Sequence, residues 1–275
     1  MLKQCLWEKE NSIAQMLWQT GKVDFPIYDM HAHMGKHYAQ YHARCEAAEM
    51  VRHAERIGVK RICFSHYAAL RGTELESNEL AADICRQYPD MLRMYVGINP
   101  NYPERMRHDL ALFDKFQPFA IGLKFLADYH KVKVTDPAYA YALDFASERE
   151  LPVLNHTWGN SPYNGGPVML EAVKRYPKVK FILGHSIFGD WESAERCVKE
   201  SSGNVYLELT AIPGERGIVE DLVRRVGSER ILYGTDLPWF DEYQAVGGVL
   251  SADISEEDVR NILYRNADKL LGKDW

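Results

Sequence analysis

Eight short apolar runs, each followed by a longer stretch of helical character, set the tightest limit on how this chain can fold. The runs lie at 26–31, 61–66, 92–98, 119–125, 151–156, 179–185, 204–209 and 230–236. They are rich in β-branched and aromatic residues and too continuously apolar for a sheet wetted on one face, which is the pattern of buried parallel strands. Between them the periodicity changes. Ala47, Met50, Val51 and Ala54 form an apolar helical stripe with Glu49, Arg52 and Glu55 facing outward. Leu110, Leu112 and Phe113 mark a second such segment, and Tyr141, Leu143, Phe145 and Ala146 a third. Asp136-Pro137 reads as an N-cap followed by proline at the first helical position. Ser255-Glu256-Glu257-Asp258 opens a last helix running through Leu271, with acids in its first turn.

Alternating strands and helices can close as an eight-stranded barrel or open as a doubly wound sheet. The count of eight and the length of 275 residues favour the α/β class with a (β/α)8, TIM-like barrel. An open nucleotide-binding sheet would call for a glycine-rich first turn, and the first run ends instead in His-Ala-His-Met-Gly. No linker or repeat interrupts the pattern, so residues 1–275 are read as one domain, with 1–25 as an N-terminal helix and loop extension.

The net charge of −6 and the absence of a basic run argue against nucleic acid or an anionic membrane as partner. A small-molecule substrate is expected, and a homo-oligomer is left open. Cys5, Cys45, Cys63, Cys85 and Cys197 are scattered and without CxxC spacing, which fits a reducing, cytoplasmic setting and a packing role for Cys63. Neither a signal-peptide pattern nor a membrane-span-length apolar stretch is expected.

The chemistry-bearing residues cluster at the ends of the runs. His31 and His33 close the first, His66 the second, Lys124 the fourth, His156 the fifth, His185 the sixth and Asp236 the eighth. In a barrel all strand C-termini share one rim, where active sites of this fold lie. Residues i and i+2 on a strand face one side, so His31 and His33 can reach one metal ion. His156 and Asp236 would complete a three-nitrogen, one-carboxylate set that suits zinc and leaves room for water.

The motifs YDMHAHMG, LPVLNHTWG, FILGHSIFGDW and ILYGTDLPWF, in this order and followed by RNADKLL, resemble those of the amidohydrolase superfamily. The match is to its amidohydrolase-related branch of metal-dependent hydrolases and decarboxylases. The resemblance implies a metallo-dependent hydrolase barrel. It assigns His31, His33, His156 and Asp236 to metal-binding positions and His185 to the sixth-strand histidine. One divalent metal, zinc, is the favoured reading, with Lys124 as a cation for substrate. A carbamylated Lys124 would instead bring a second metal and draw His185 into the ligand shell.

On this reading Asp236 takes a proton from a metal-activated water and returns it to the leaving group, while His185 steadies an oxyanion or delivers a proton. The expected reaction is hydrolysis of an amide, ester or lactone; the alternative is non-oxidative decarboxylation of an aromatic or unsaturated carboxylate. Trp158, Trp239, Tyr129 and Arg216 are placed in strand-to-helix loops, with Arg216 as anion clamp and Trp158 as a further substrate contact. His37 and His42 are placed in a loop after the first strand. His53, His108 and His130 are read as surface residues.

Overall fold

A computed structural model of the protein describes residues 12–37, 39–71, 77–272 and 275. Its strands are β1 (Ile27–Met34), β2 (Val59–His66), β3 (Leu92–Ile98), β4 (Ala120–Phe125), β5 (Pro152–Trp158), β6 (Lys180–Phe188), β7 (Val205–Glu208) and β8 (Ile231–Leu232). They pair in sequence order, every pair parallel. The eighth strand is far shorter than the apolar run predicts. Beyond Leu232 the chain leaves regular pairing but still runs beside β1, donating from Asp236 N to His31 O (2.6 Å) and accepting at Leu237 O from His33 N (2.6 Å). This irregular segment closes the barrel.

The barrel interior has two levels. The lower takes one residue from each strand: Met30, Cys63, Tyr95, Ile121, Leu154, Ile182, Tyr206 and Leu232. Ala267 and Leu270 of the terminal helix Asn266–Leu271 cap it from below. Moving two residues along six of these strands reaches Ser65, Gly97, His156, Gly184, Glu208 and Gly234, which by the two-residue period of a strand face the same interior. The other two strands break that parity. One extra residue enters β1 between Asp29 and Ala32, and one enters β4 opposite the Met94–Tyr95 step. Such bulges re-aim the side chains that follow. Here they turn His33 (paired with Ser65) and Lys124 (paired with Gly97) into the upper level.

The alternate strand residues form the outer core with the surrounding helices. In the helix Ala47–Ile57 the expected Met50, Val51 and Ala54 are buried, with Ile57. The helix Pro137–Glu148 is capped by Asp136, whose Oδ1 accepts from Ala138 N at 2.9 Å. Its buried face is Tyr139, Ala142, Leu143 and Ala146, the spacing that stacks side chains on one helical face. Tyr141, read into that stripe from the sequence, falls off it and is exposed beneath the Arg107 guanidinium. The terminal helix opens at Ser255 with a reciprocal capping box to Asp258 and contains a π-helical turn, Asn261–Arg265, before Leu271. The helix expected within residues 1–25 is Ser12–Thr20; Cys5 lies outside the described residues. Cys45, Cys63, Cys85 and Cys197 are free and buried. Among the described residues, no helix is long and apolar enough to cross a membrane.

Candidate active site

The upper level of the barrel opens into a cavity of about 480 Å³ lined by His33, His156, His185 and Asp236 together with an aromatic wall that includes Tyr67, Trp158 and Trp239. At its floor a histidine nitrogen each from His31 and His33 and a carboxylate oxygen of Asp236 lie within 4.8 Å of one another. His33 Nε2 is 3.0 Å and His31 Nε2 3.5 Å from Asp236 Oδ1. That oxygen is buried and accepts no hydrogen bond among the described residues.

Local backbone and small residues make this convergence fit. Gly184 and Gly234 stand where a side chain has no room: a Cβ on Gly184 would come 3.1 Å from His31 Cε1, and one on Gly234 2.2 Å from Glu208 Oε1. His185, Ser186 and Ile187 have φ of 63°, 51° and 55°, and Asp236 has 60°. Non-glycine residues rarely sit in this left-handed region, and β-branched ones such as Ile187 more rarely still. The surrounding packing holds that strain where chemistry-bearing side chains emerge.

His31 is held from two sides, by Glu208 Oε2 2.8 Å from Nδ1 and by Lys124 Nζ 2.7 Å from Nε2. His33 Nδ1 lies 2.9 Å from Ser65 Oγ, and its ring stacks on Tyr67. His156 stands apart from the three-residue cluster. Its Nδ1 is 3.0 Å from His185 Nε2, its Nε2 is 3.9 Å from Asp128 Oδ2, and its ring stacks on Trp158. Of the four metal ligands read from the sequence, the structure thus draws three together and pairs the fourth with His185.

Burial governs the ionisation of these groups. It keeps His31, His33 and His185 well below the usual imidazole range and brings His156 down to about 4, so the imidazoles are neutral at neutral pH. Burial also raises the Asp236 carboxyl, pushes Glu208 up to about 7 and draws Lys124 down to about 8.

Other residues named from the sequence are placed differently from expectation. Lys124 is fully buried behind His31 and is not part of the cavity lining. Trp158 belongs to the end of β5 rather than to a loop, yet it does line the cavity. Arg216 is exposed in the turn between the 3-10 segment Ile212–Gly214 and the helix Ile218–Val226, outside the lining. The arginine that lines the cavity is Arg71, at the end of the short helix Tyr67–Arg71. Tyr129, Trp239 and His37 also line it, with Trp239 Nε1 donating to Tyr67 Oη at 2.6 Å, and His42 packs edge-on against Trp239. His66 is buried beside Gly35 and is not in the lining. His130, expected at the surface, is buried, lines the cavity and bonds the Leu70 carbonyl at 2.7 Å. His53 faces Asp241 at 3.0 Å, and His108 is exposed.

Sequence reasoning missed Glu208, the carboxylate joined to His31, because a lone glutamate ending an apolar run carries no motif. Its one signal was a buried-strand position occupied by an acid, which needs partners. Arg71 was missed because it lies a helical turn beyond the end of β2 at His66, where strand periodicity no longer says which way a side chain faces.

The family model described as Amidohydrolase matches residues 23–273. An uncharacterized metal-dependent hydrolase of Mycoplasma genitalium is 20% identical over 233 residues, covering 73% of this chain and 86% of the relative. The crystal structure of a 2,6-dihydroxybenzoate decarboxylase complexed with 2,6-dihydroxybenzoate superposes with a TM-score of 0.74 at 14% identity, over 91% of this chain and 99% of that one. A dihydroxybenzoic acid decarboxylase from Polaromonas, with bound manganese and the inhibitor 2-nitroresorcinol, gives 0.72 at 16% identity, over 89% and 97%. At these identities the structural likeness is one of fold.

Proposed function

This chain belongs to the amidohydrolase family, and on that premise we propose that it is a metal-dependent hydrolase of a small-molecule amide, ester or lactone. The observation that carries the reading is the convergence of His31, His33 and Asp236 on one point at the cavity floor. Two neutral imidazoles and a buried carboxylate oxygen without a hydrogen-bond donor are a donor set that suits a divalent transition metal. A relative described as metal-dependent and a manganese-bearing structural neighbour support a metal of this kind. We propose one zinc ion, held by His31, His33 and Asp236, with His156 as the further ligand. Bound there, the ion supplies a Lewis acid that polarises a carbonyl and acidifies a water.

The remaining work falls to the chain itself. Asp236 accepts the proton of the attacking water and returns it to the leaving group; burial raises its affinity for that proton. His185 lines the cavity with its Nε2 3.0 Å from His156 Nδ1, and its part is to steady negative charge developing on the substrate oxygen. Trp158 and its aromatic neighbours take the apolar part of the substrate and shield the site from bulk water, and Arg71 takes an anionic group.

A second reading, non-oxidative decarboxylation, draws on the same lining: Tyr67, Trp158, Trp239 and Phe240 give it an aromatic surface that suits a planar ring, and Arg71 offers a cation to a carboxylate. Elemental analysis of protein purified without chelators, followed by assay of amides, esters, lactones and aryl carboxylates, separates the two. Stoichiometric zinc with turnover of the first three supports hydrolysis. Carbon dioxide release from aryl carboxylates alone moves the assignment to the second reading, and turnover by metal-free protein sinks both.

A further inference from the structure

Glu208 is fully buried at the end of β7, facing the barrel interior. A carboxylate there is costly unless its oxygens are satisfied. Oε1 accepts from Thr210 N and Thr210 Oγ1, both at 2.6 Å, and Oε2 accepts from His185 N at 3.2 Å. The remaining partner is His31 Nδ1, 2.8 Å from Oε2; Thr210 Oγ1, its proton given to Oε1, lies 3.4 Å from the same nitrogen as a second acceptor. Two of these contacts are backbone N–H groups, one on each oxygen, which can only donate, so both carboxyl oxygens are held as acceptors.

The other face of His31 repeats the logic with the opposite polarity. Lys124 Nζ lies 2.7 Å from Nε2, and an ammonium has donors only. A neutral imidazole between an acceptor at Nδ1 and a donor at Nε2 has one tautomer compatible with both: the proton on Nδ1 and the lone pair on Nε2.

We infer that Glu208 is a positioning residue that fixes His31 as the Nδ1–H tautomer, leaving the lone pair on Nε2, the nitrogen that belongs to the Asp236 cluster, and that the same carboxylate anchors the left-handed backbone at His185. It therefore ties the floor of the site to the turn that presents His185. Gly234 belongs to this device, because a Cβ there would strike both Glu208 Oε1 and His31 Cβ. The inference rests on the metal-dependent reading above for its functional consequence, since a ligating imidazole whose second nitrogen is held by a carboxylate is oriented and made more basic.

Two measurements test it. In wild-type protein stripped of metal, nitrogen-15 NMR should show His31 with a protonated Nδ1 and a bare Nε2; a protonated Nε2 overturns the inference. In Glu208→Gln, an amide replaces the carboxylate, and zinc affinity measured by chelator competition should fall roughly 10–100-fold, together with loss of the His31 Nδ1–H signature. A folded Glu208→Gln that binds zinc as wild type also overturns it. Should that variant fail to fold, the wild-type spectrum decides. A wild-type protein that takes up no metal would defeat the functional reading, while the tautomer measurement would still stand on its own.

Discussion

The lower and upper levels of the barrel interior are built by the same strands, mostly two residues apart, and are held together by different forces. Below, Met30, Leu154, Ile182 and Leu232 meet as apolar surface, and even Tyr95 satisfies its hydroxyl by donating to Met30 O at 3.0 Å. Burial of that kind contributes about 1.5–3 kcal/mol per large side chain and asks little of neighbouring geometry. Above, His31, Lys124 and Glu208 are fully buried and Asp236 mostly so, with their charges and lone pairs, and each depends on a partner at hydrogen-bond or ion-pair distance. Left-handed residues at 185–187 and 236 add strain. The lower level is where the fold draws stability; the upper level spends some of it to hold reactive groups in place. The difference teaches that burial alone does not identify a core: what matters is whether the buried atoms need partners.

The sharpest way to break this division is Asp236→Asn. Asparagine keeps the shape and an oxygen but cannot take a proton, so kcat of the metal-loaded variant should fall roughly 10²–10⁴-fold, while its melting temperature stays near wild type. A variant with unchanged kcat would remove Asp236 from proton transfer. One level down, Leu154→Ala should do the reverse. It lies wholly buried among the interior apolar residues, and its truncation should cost about 2–5 kcal/mol in denaturant unfolding with kcat per folded molecule preserved. Loss of turnover without loss of stability would mean that the lower level also shapes the site. The smallest effect is expected outside both levels. Arg216→Ala removes an exposed side chain and should change stability by no more than about 0.5 kcal/mol, with KM for anionic substrates unaltered. A clear rise in KM would bring Arg216 back as an anion contact and make the turn after β7 part of the binding wall.

Much of this was legible in the residues. Apolar runs of strand length placed all eight strands, because burial on both faces leaves an uninterrupted hydrophobic signature. The bound on the fold came from that count. The spacing of His31 and His33, and the places of His185 and Asp236 at the ends of their runs, pointed to one rim because strand periodicity is local and needs no tertiary knowledge. Helix caps at Asp136 and Ser255 were readable for the same reason: a side chain bonding its own helix start is a contact within a few residues.

Contacts between strands were not legible. The extra residues in β1 and β4 are defined only against the neighbouring strand, and they decide which of two alternating faces turns inward. The pairing of Glu208 with His31 spans 177 residues of sequence and has no local trace. The separation of His156 from the three-residue cluster, and the choice of Arg71 over Arg216 as the arginine of the cavity lining, depend on where loops and rings come to rest after the barrel closes. The sequence by itself determined the barrel and the strand ends that carry its chemistry, because local periodicity encodes those; tertiary structure alone decided which side chains meet, because meeting depends on register and closure.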